Sequence, residues 1–371
     1  MSIWNFKYFI LLYFLFFFNE NLISCNILLE KYNSKIISSK INETIFAIQK
    51  AANNPIEDTY TIKEISLPTL KGYFLSVFDG HGGSFLSNYS NNVFYDYFIE
   101  FFLTYPEHQN ENEKIKKSLY ETFQRIEKEF LTLAYDKKYK SNKKDKKDIN
   151  TGTCALIAII INNKLFIANL GDSKARMFSL KNNTKDNYSV TKISNVFNAR
   201  KKKEQEYLRN KFPNDKNIFV CYENDPKACY VKGMLQPTRS LGDLYLKHKD
   251  FNKYLEDFNG PYISSEPEIQ FYNLNHDDKY IILGSDGLWD FLKSSKVSNL
   301  IKEYEEIKNE KNSKIENISY NLLYKVLYLA SQDTYMSFDE IMKTPEGRNL
   351  RNIHDDITII ICDLNEILKE K

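Results

Sequence analysis

No pair of cysteines in this chain has the Cys-x-x-Cys spacing of a zinc or dithiol site, and no histidine partners one at metal spacing. Structural zinc and dithiol redox chemistry are thereby excluded as readings. Of the five cysteines, Cys154 and Cys362 fall inside apolar runs as small core residues, while Cys25 lies near the N-terminus. Cys221 and Cys229 flank a loop and would need a favourable geometry to pair, so no disulfide is expected. An excess of charge of one sign is missing as well: 51 basic residues face 49 acidic ones, a net +2. No global field favours nucleic acid or an anionic membrane surface, and nucleic acid is not an expected partner. There is no internal repeat. The one low-complexity tract, residues 137–148, lacks the regular aromatic interleaving of a nucleic-acid groove and reads as a solvated loop.

Long apolar runs are scarce too. Residues 8–18 form one of eleven residues, short of the roughly 20 that carry a helix across a bilayer. With Lys7 ahead of it and Ser24-Cys25 behind, it has the size and flanks of a signal-peptide core. Residues 1–25 are therefore expected to be a hydrophobic leader that directs the chain into the secretory pathway. An uncleaved anchor, giving membrane association, is the alternative. Residues 26–40 carry several lysines and few acids, as a linker or transit segment would, which leaves onward delivery to a mitochondrion or plastid open. The chain has 371 residues, 42% hydrophobic and 27% charged, ample for one soluble domain over 41–366, expected to be monomeric.

What the sequence does contain is a set of acids placed where apolar runs start or stop. They are Ile56-Glu57-Asp58, Val77-Phe78-Asp79-Gly80-His81-Gly82-Gly83, Gly171-Asp172-Ser173, Ser285-Asp286-Gly287-Leu288-Trp289-Asp290 and His354-Asp355-Asp356. Aspartate is depleted in strands and costly to bury unpaired, so this pattern predicts carboxylates converging on hard cations at one sheet edge. Oxygen ligands without Cys or paired His select Mg²⁺ or Mn²⁺. Two such cations sharing a bridging carboxylate would activate a water and stabilise in-line displacement at a phosphoryl group.

Apolar alternation or continuous runs predict strands at 43–49, 59–67, 72–78, 153–161, 164–170, 175–180, 279–284 and 357–363. Asn162-Asn163 between two of them suits the positive φ of a tight hairpin. Helical spacing predicts helices over 85–103, 115–135, 297–307 and 320–331. Residues 181–232, polar and irregular, read as a mobile flap.

In this order and spacing the motifs resemble the metal-dependent protein serine/threonine phosphatases of the 2C family, over roughly residues 45–364. Thr151-Gly152-Thr153, Leu235-Gln236-Pro237-Thr238-Arg239-Ser240-Leu241-Gly242-Asp243 and Gly260-Pro261-Tyr262-Ile263-Ser264-Ser265-Glu266-Pro267-Glu268 add to the resemblance while carrying little chemistry themselves. The resemblance implies an α+β fold, a four-layer αββα sandwich of two antiparallel sheets flanked by helices. It implies that Asp79 bridges two metals, that Glu57, Asp286, Asp355 and the Gly80 carbonyl complete their ligands, and that Asp58 and Asp356 sit behind them. Asp172 and Asp290 match positions that bind a third, weaker metal in some members. His81 matches the residue that protonates the leaving oxygen. Phosphorylated proteins are the implied substrates, attacked directly by metal-held water without a phosphoenzyme.

Two departures stand out. Asn53 occupies the place of an arginine that grips phosphate in many members, and the stretch Ala51 to Asp58 is similar there to the pyruvate dehydrogenase phosphatase branch and a related plant branch. Val196-Phe197 replaces an Asp-His pair beside the flap. They motivate the alternative reading, a pseudophosphatase that binds phosphoproteins without hydrolysis.

Overall fold

The computed structural model describes residues 29, 31–106, 108–138, 147–181, 187–223, 225–308 and 317–368. The leader at 1–25 lies outside the described residues, as does most of the lysine tract. One sheet runs in the order β1 (Ile36–Ile41), β2 (Ile45–Lys50), β14 (Ile357–Asp363), β13 (Asp278–Gly284), β7 (Lys174–Leu180) and β8 (Tyr188–Lys192). The other runs β12 (Glu268–Asn273), β6 (Lys164–Leu170), β5 (Gly152–Ile161), β4 (Leu70–His81) and β3 (Thr59–Leu67), with the two-residue β11 (Leu241–Gly242) on β5. Every pairing is antiparallel.

Alternation along the strands builds four layers, because successive side chains point to opposite sheet faces. In β5, Leu156, Ala158 and Ile160 enter the core between the sheets, whereas Ala155, Ile157, Ile159 and Ile161 join the outer core. That outer core is closed by helices Phe85–Thr104 and Glu111–Lys138 through Phe94, Phe98, Phe123 and Phe130. In β14, Ile360 and Cys362 point between the sheets, while Ile357, Ile359 and Ile361 meet the helices Ser294–Lys308 and Ile318–Thr334. The expected αββα sandwich is present. The β5–β6 hairpin turns through Asn162 and Asn163 at φ 49° and 60°, as the sequence predicts.

Three expectations are corrected. The stretch read as a linker over 26–40 contributes the edge strand β1, and Leu29 and Tyr32 are buried in the outer core, so the packed fold begins before Ile41. The 181–232 segment is not irregular: it contains β8, helix Lys202–Lys211 and the hairpin of β9 (Phe219–Tyr222) and β10 (Asp225–Val231), gathered on Leu208, Ile218, Val231 and Tyr262. Its polar surface hides a small core supplied partly from outside the segment. Cys221 and Cys229 are bonded to each other, being register partners across that hairpin. Cys154 and Cys362 are buried free thiols, as expected. No helix among the described residues is long and apolar enough to cross a membrane.

Candidate active site

The register brings six strand ends to one edge. Thr59 at the start of β3 faces Phe78 near the end of β4, and Lys174 at the start of β7 faces Gly284 at the end of β13. Gly284 also faces Ile359 of β14. Glu57 and Asp58 precede β3, Asp79 ends β4, Asp172 follows β6, Asp286 follows β13, and Asp355 and Asp356 precede β14. Carboxylates separated by up to 299 residues therefore share one rim.

At its centre the carboxylates of Asp79, Asp172 and Asp286 have oxygens within 4.8 Å of one another. The Asp286 N–H donates to Asp79 Oδ2 at 3.2 Å, and Asn198 Nδ2 donates to Asp172 Oδ2 at 2.6 Å. Asp286 Oδ1 is buried without a hydrogen-bond partner. Burial, and then the neighbouring carboxylates, push Asp79 and Asp286 well above the usual range. Burial likewise lifts Glu57, and takes Asp355 to about 6 even though Arg351 opposes it. Like charges so close are unfavourable unless protons or a cation offset them. An orphaned carboxylate oxygen among three crowded acids fits a hard divalent cation. A cavity of about 280 Å³ opens beside Asp286, Asp290 and Asp355.

The remaining acids have distinct surroundings. Asp355 pairs with Arg351, and Asp290 with Arg200 at 2.9 Å. Asp356 does not face the cluster centre. It accepts from the N–H groups of Ala52, Asn53 and Glu57 at 2.6, 2.9 and 2.7 Å and from the Asn53 amide at 3.0 Å. One carboxylate thus fixes the loop that carries Glu57, and Asn53 is part of that tie. Asp58 is buried and accepts from Thr358 at 2.7 Å. Gly80 is required by close approach: a Cβ there would lie 2.3 Å from the Glu57 carbonyl oxygen. Phe197 is buried, its N–H donates to the Gly171 carbonyl at 2.9 Å, and the Arg239 guanidinium sits 3.8 Å from its ring centroid. The apolar replacement of the Asp-His pair thereby anchors the flap beside Asp172.

His81 has a partner that sequence reasoning missed. Its Nε2 is 2.7 Å from Asp243 Oδ2, which also accepts from Ser240 at 2.6 Å. Burial alone would pull the imidazole down, but the Asp243 charge and hydrogen bond outweigh it and hold His81 above its ordinary value. Gly152 floors this pair, since a Cβ there would meet Asp243 Oδ2 at 2.1 Å and His81 Nε2 at 2.3 Å. Thr151-Gly152-Thr153 and the stretch ending in Asp243 are thus corrected: through Gly152 and Asp243 they hold the His81 ring in place. The signal was available in an aspartate flanked by Gly242 and Leu244, but its partner is 162 residues away.

The family model for protein phosphatase 2C matches residues 49–335. Probable protein phosphatase 2C 28 of Oryza sativa subsp. japonica is 30% identical over 86% of this chain and 77% of its own length. Probable protein phosphatase 2C 67 of Arabidopsis thaliana is 31% identical over 85% and 81% respectively. A solved C. elegans sex-determining protein matches with a TM-score of 0.59 at 16% identity, covering 88% of this chain and 66% of that one, a likeness of fold alone. The relatives' names reach the family and stop short of the pyruvate dehydrogenase phosphatase branch. On the family match, supported by the relatives and by the fold, the chain belongs to the protein phosphatase 2C family.

Proposed function

We propose that this chain acts on phosphoserine and phosphothreonine in proteins as a metal-dependent phosphatase with Mg²⁺ or Mn²⁺ as cofactor. Membership of the family makes it a protein-serine/threonine phosphatase. The observation that supports metal dependence is the Asp79, Asp172 and Asp286 grouping with its orphaned oxygen. Two divalent cations held there would supply an activated water and a positive field for the phosphoryl oxygens. In this reading Asp79, Glu57, the Gly80 carbonyl, Asp286 and Asp355 would hold them. Asp172 and Asp290, with Asp286, would hold a third, weaker ion. His81 holds a proton for the departing hydroxyl oxygen while Asp243 orients the ring.

The full chain should hydrolyse a phosphothreonine peptide with added Mn²⁺ or Mg²⁺, lose turnover in EDTA, and regain it on remetallation. Turnover that persists after exhaustive chelation refutes the metal dependence. A folded, Mn²⁺-binding chain that turns over no phosphopeptide supports the pseudophosphatase, and preference for sugar phosphates refutes the protein substrate.

The leader adds import into the secretory pathway to this proposal. The Cys221–Cys229 disulfide supports it, because such bonds persist in oxidising compartments. A C-terminal reporter should colocalise with secretory membranes, or with an organelle reached through them, and lose that location when residues 1–25 are deleted. A cytosolic location of the intact fusion would refute it.

A further inference from the structure

Next to the acid cluster lies a cavity of about 720 Å³ with the opposite charge. Lys174, Arg176, Lys192, Lys201 and Lys293 line it together with Trp289. None of these lysines forms an ion pair among the described residues. The two carboxylates on the same wall are already engaged: Glu204 accepts from Thr238, and Glu268 from the amides of Asn195 and Gln270.

Arg176 is the built element of this cavity. It is 6% exposed, and its guanidinium lies 5.8 Å from the Trp289 ring centroid. Its Nη1 donates only to the carbonyls of Ala175 and Ser194, at 2.6 and 3.3 Å, and its Nε is buried with no partner. A guanidinium buried without an anion carries an unrecovered desolvation cost, and its fork matches phosphate oxygens.

The cavity adjoins the acid cluster through two elements. Lys174 follows Asp172 by two residues, at most about 7 Å along the chain, and Trp289 lies one helical turn beyond Asp286. Its indole N–H donates to the Lys174 carbonyl at 3.0 Å, locking the two walls together. An extended peptide covers the same interval in two or three residues.

We propose that this cavity binds a second phosphoryl group on the same substrate, two or three residues from the one hydrolysed, so that the enzyme prefers multiply phosphorylated segments. This rests on the phosphatase reading above. The test compares kcat/KM of the full chain for a phosphothreonine peptide with that for peptides bearing an added nonhydrolysable phosphonate two or three residues to either side.

One of the phosphonate peptides should be preferred about tenfold, equivalent to about 1.4 kcal/mol. The ratio should fall toward one in Arg176→Met and in the exposed-site triple variant Lys192→Gln, Lys201→Gln, Lys293→Gln, which keeps the test valid if Arg176→Met misfolds. Because each ratio is internal to one protein, it cancels any general loss of activity. A ratio near one in a wild type that turns over every peptide overturns the second site. So does a stimulation by free inorganic phosphate that equals the phosphonate effect, since the cavity would then take a solution anion. If no peptide is turned over, the phosphatase reading fails by itself. Binding of the same phosphonate peptides, read from Trp289 fluorescence, then decides the site: a change lost in the triple variant supports it, and no change overturns it.

Discussion

Asp79→Asn is expected to lower turnover of a phosphothreonine peptide by about 10³-fold, the order that several kcal/mol of lost charge stabilisation implies. The same substitution should raise the thermal stability of the metal-free protein. Both effects follow from one feature: Asp79 is pushed well up by burial and by Asp286, Asp58, Asp172 and Asp355. A raised carboxyl value means that the native state keeps its proton to higher pH than the unfolded chain does. The penalty is absent below the ordinary carboxyl range, grows as pH rises through it, and levels off above the native value. EDTA-treated wild type should therefore gain stability as pH falls toward about 5, and the Asn variant, which cannot ionise there, should gain less. Adding Mn²⁺ should raise the wild-type melting temperature and leave the variant nearly unmoved. An active variant, or one less stable than wild type without metal, would refute the assignment of Asp79 as the shared ligand.

How much of this was legible in the sequence depended on the range of the interaction. Strand identity follows from local alternation or from short continuous apolar runs, so 59–67, 164–170 and 357–363 fall on β3, β6 and β14 without a residue of error. The Asn162-Asn163 turn was equally local. The acid positions were legible because an aspartate at the end of an apolar run is anomalous by itself, whichever strand lies next to it. What each acid does was less accessible. Asp356 resembles Asp355 in sequence, yet it fastens the Asn53 loop while its neighbour pairs with Arg351. The flap misled because its apolar residues are sparse and complete a core only with Leu246, Tyr262 and Ile263. Arg176 was invisible for the opposite reason: an arginine inside an alternating strand reads as a solvent-facing residue, and its cover comes from Trp289.

Asp243→Asn should slow hydrolysis of a phosphothreonine peptide by about 10²-fold, within the range that positioned proton transfer contributes, while barely changing that of p-nitrophenyl phosphate. The distinction lies in the leaving group. A threonine alkoxide needs a proton as the P–O bond breaks, whereas nitrophenolate departs as a stable anion. Asp243 can exert this control because it is fully buried and fixed from two sides. Ser240 donates to it, and the loop behind it is tied to helix Glu111–Lys138. There Glu127 accepts from the Gly242 N–H at 2.8 Å and from Lys247 at 2.6 Å. The carboxylate holds one imidazole nitrogen and favours the charged ring, so the amide variant would keep the shape and lose the charge. His81→Gln should reproduce the same substrate pattern, and combining the two changes should add little, since both act through one proton. Equal losses on the two substrates would show that Asp243 only supports the fold, and an additive double variant would show that it does not work through His81.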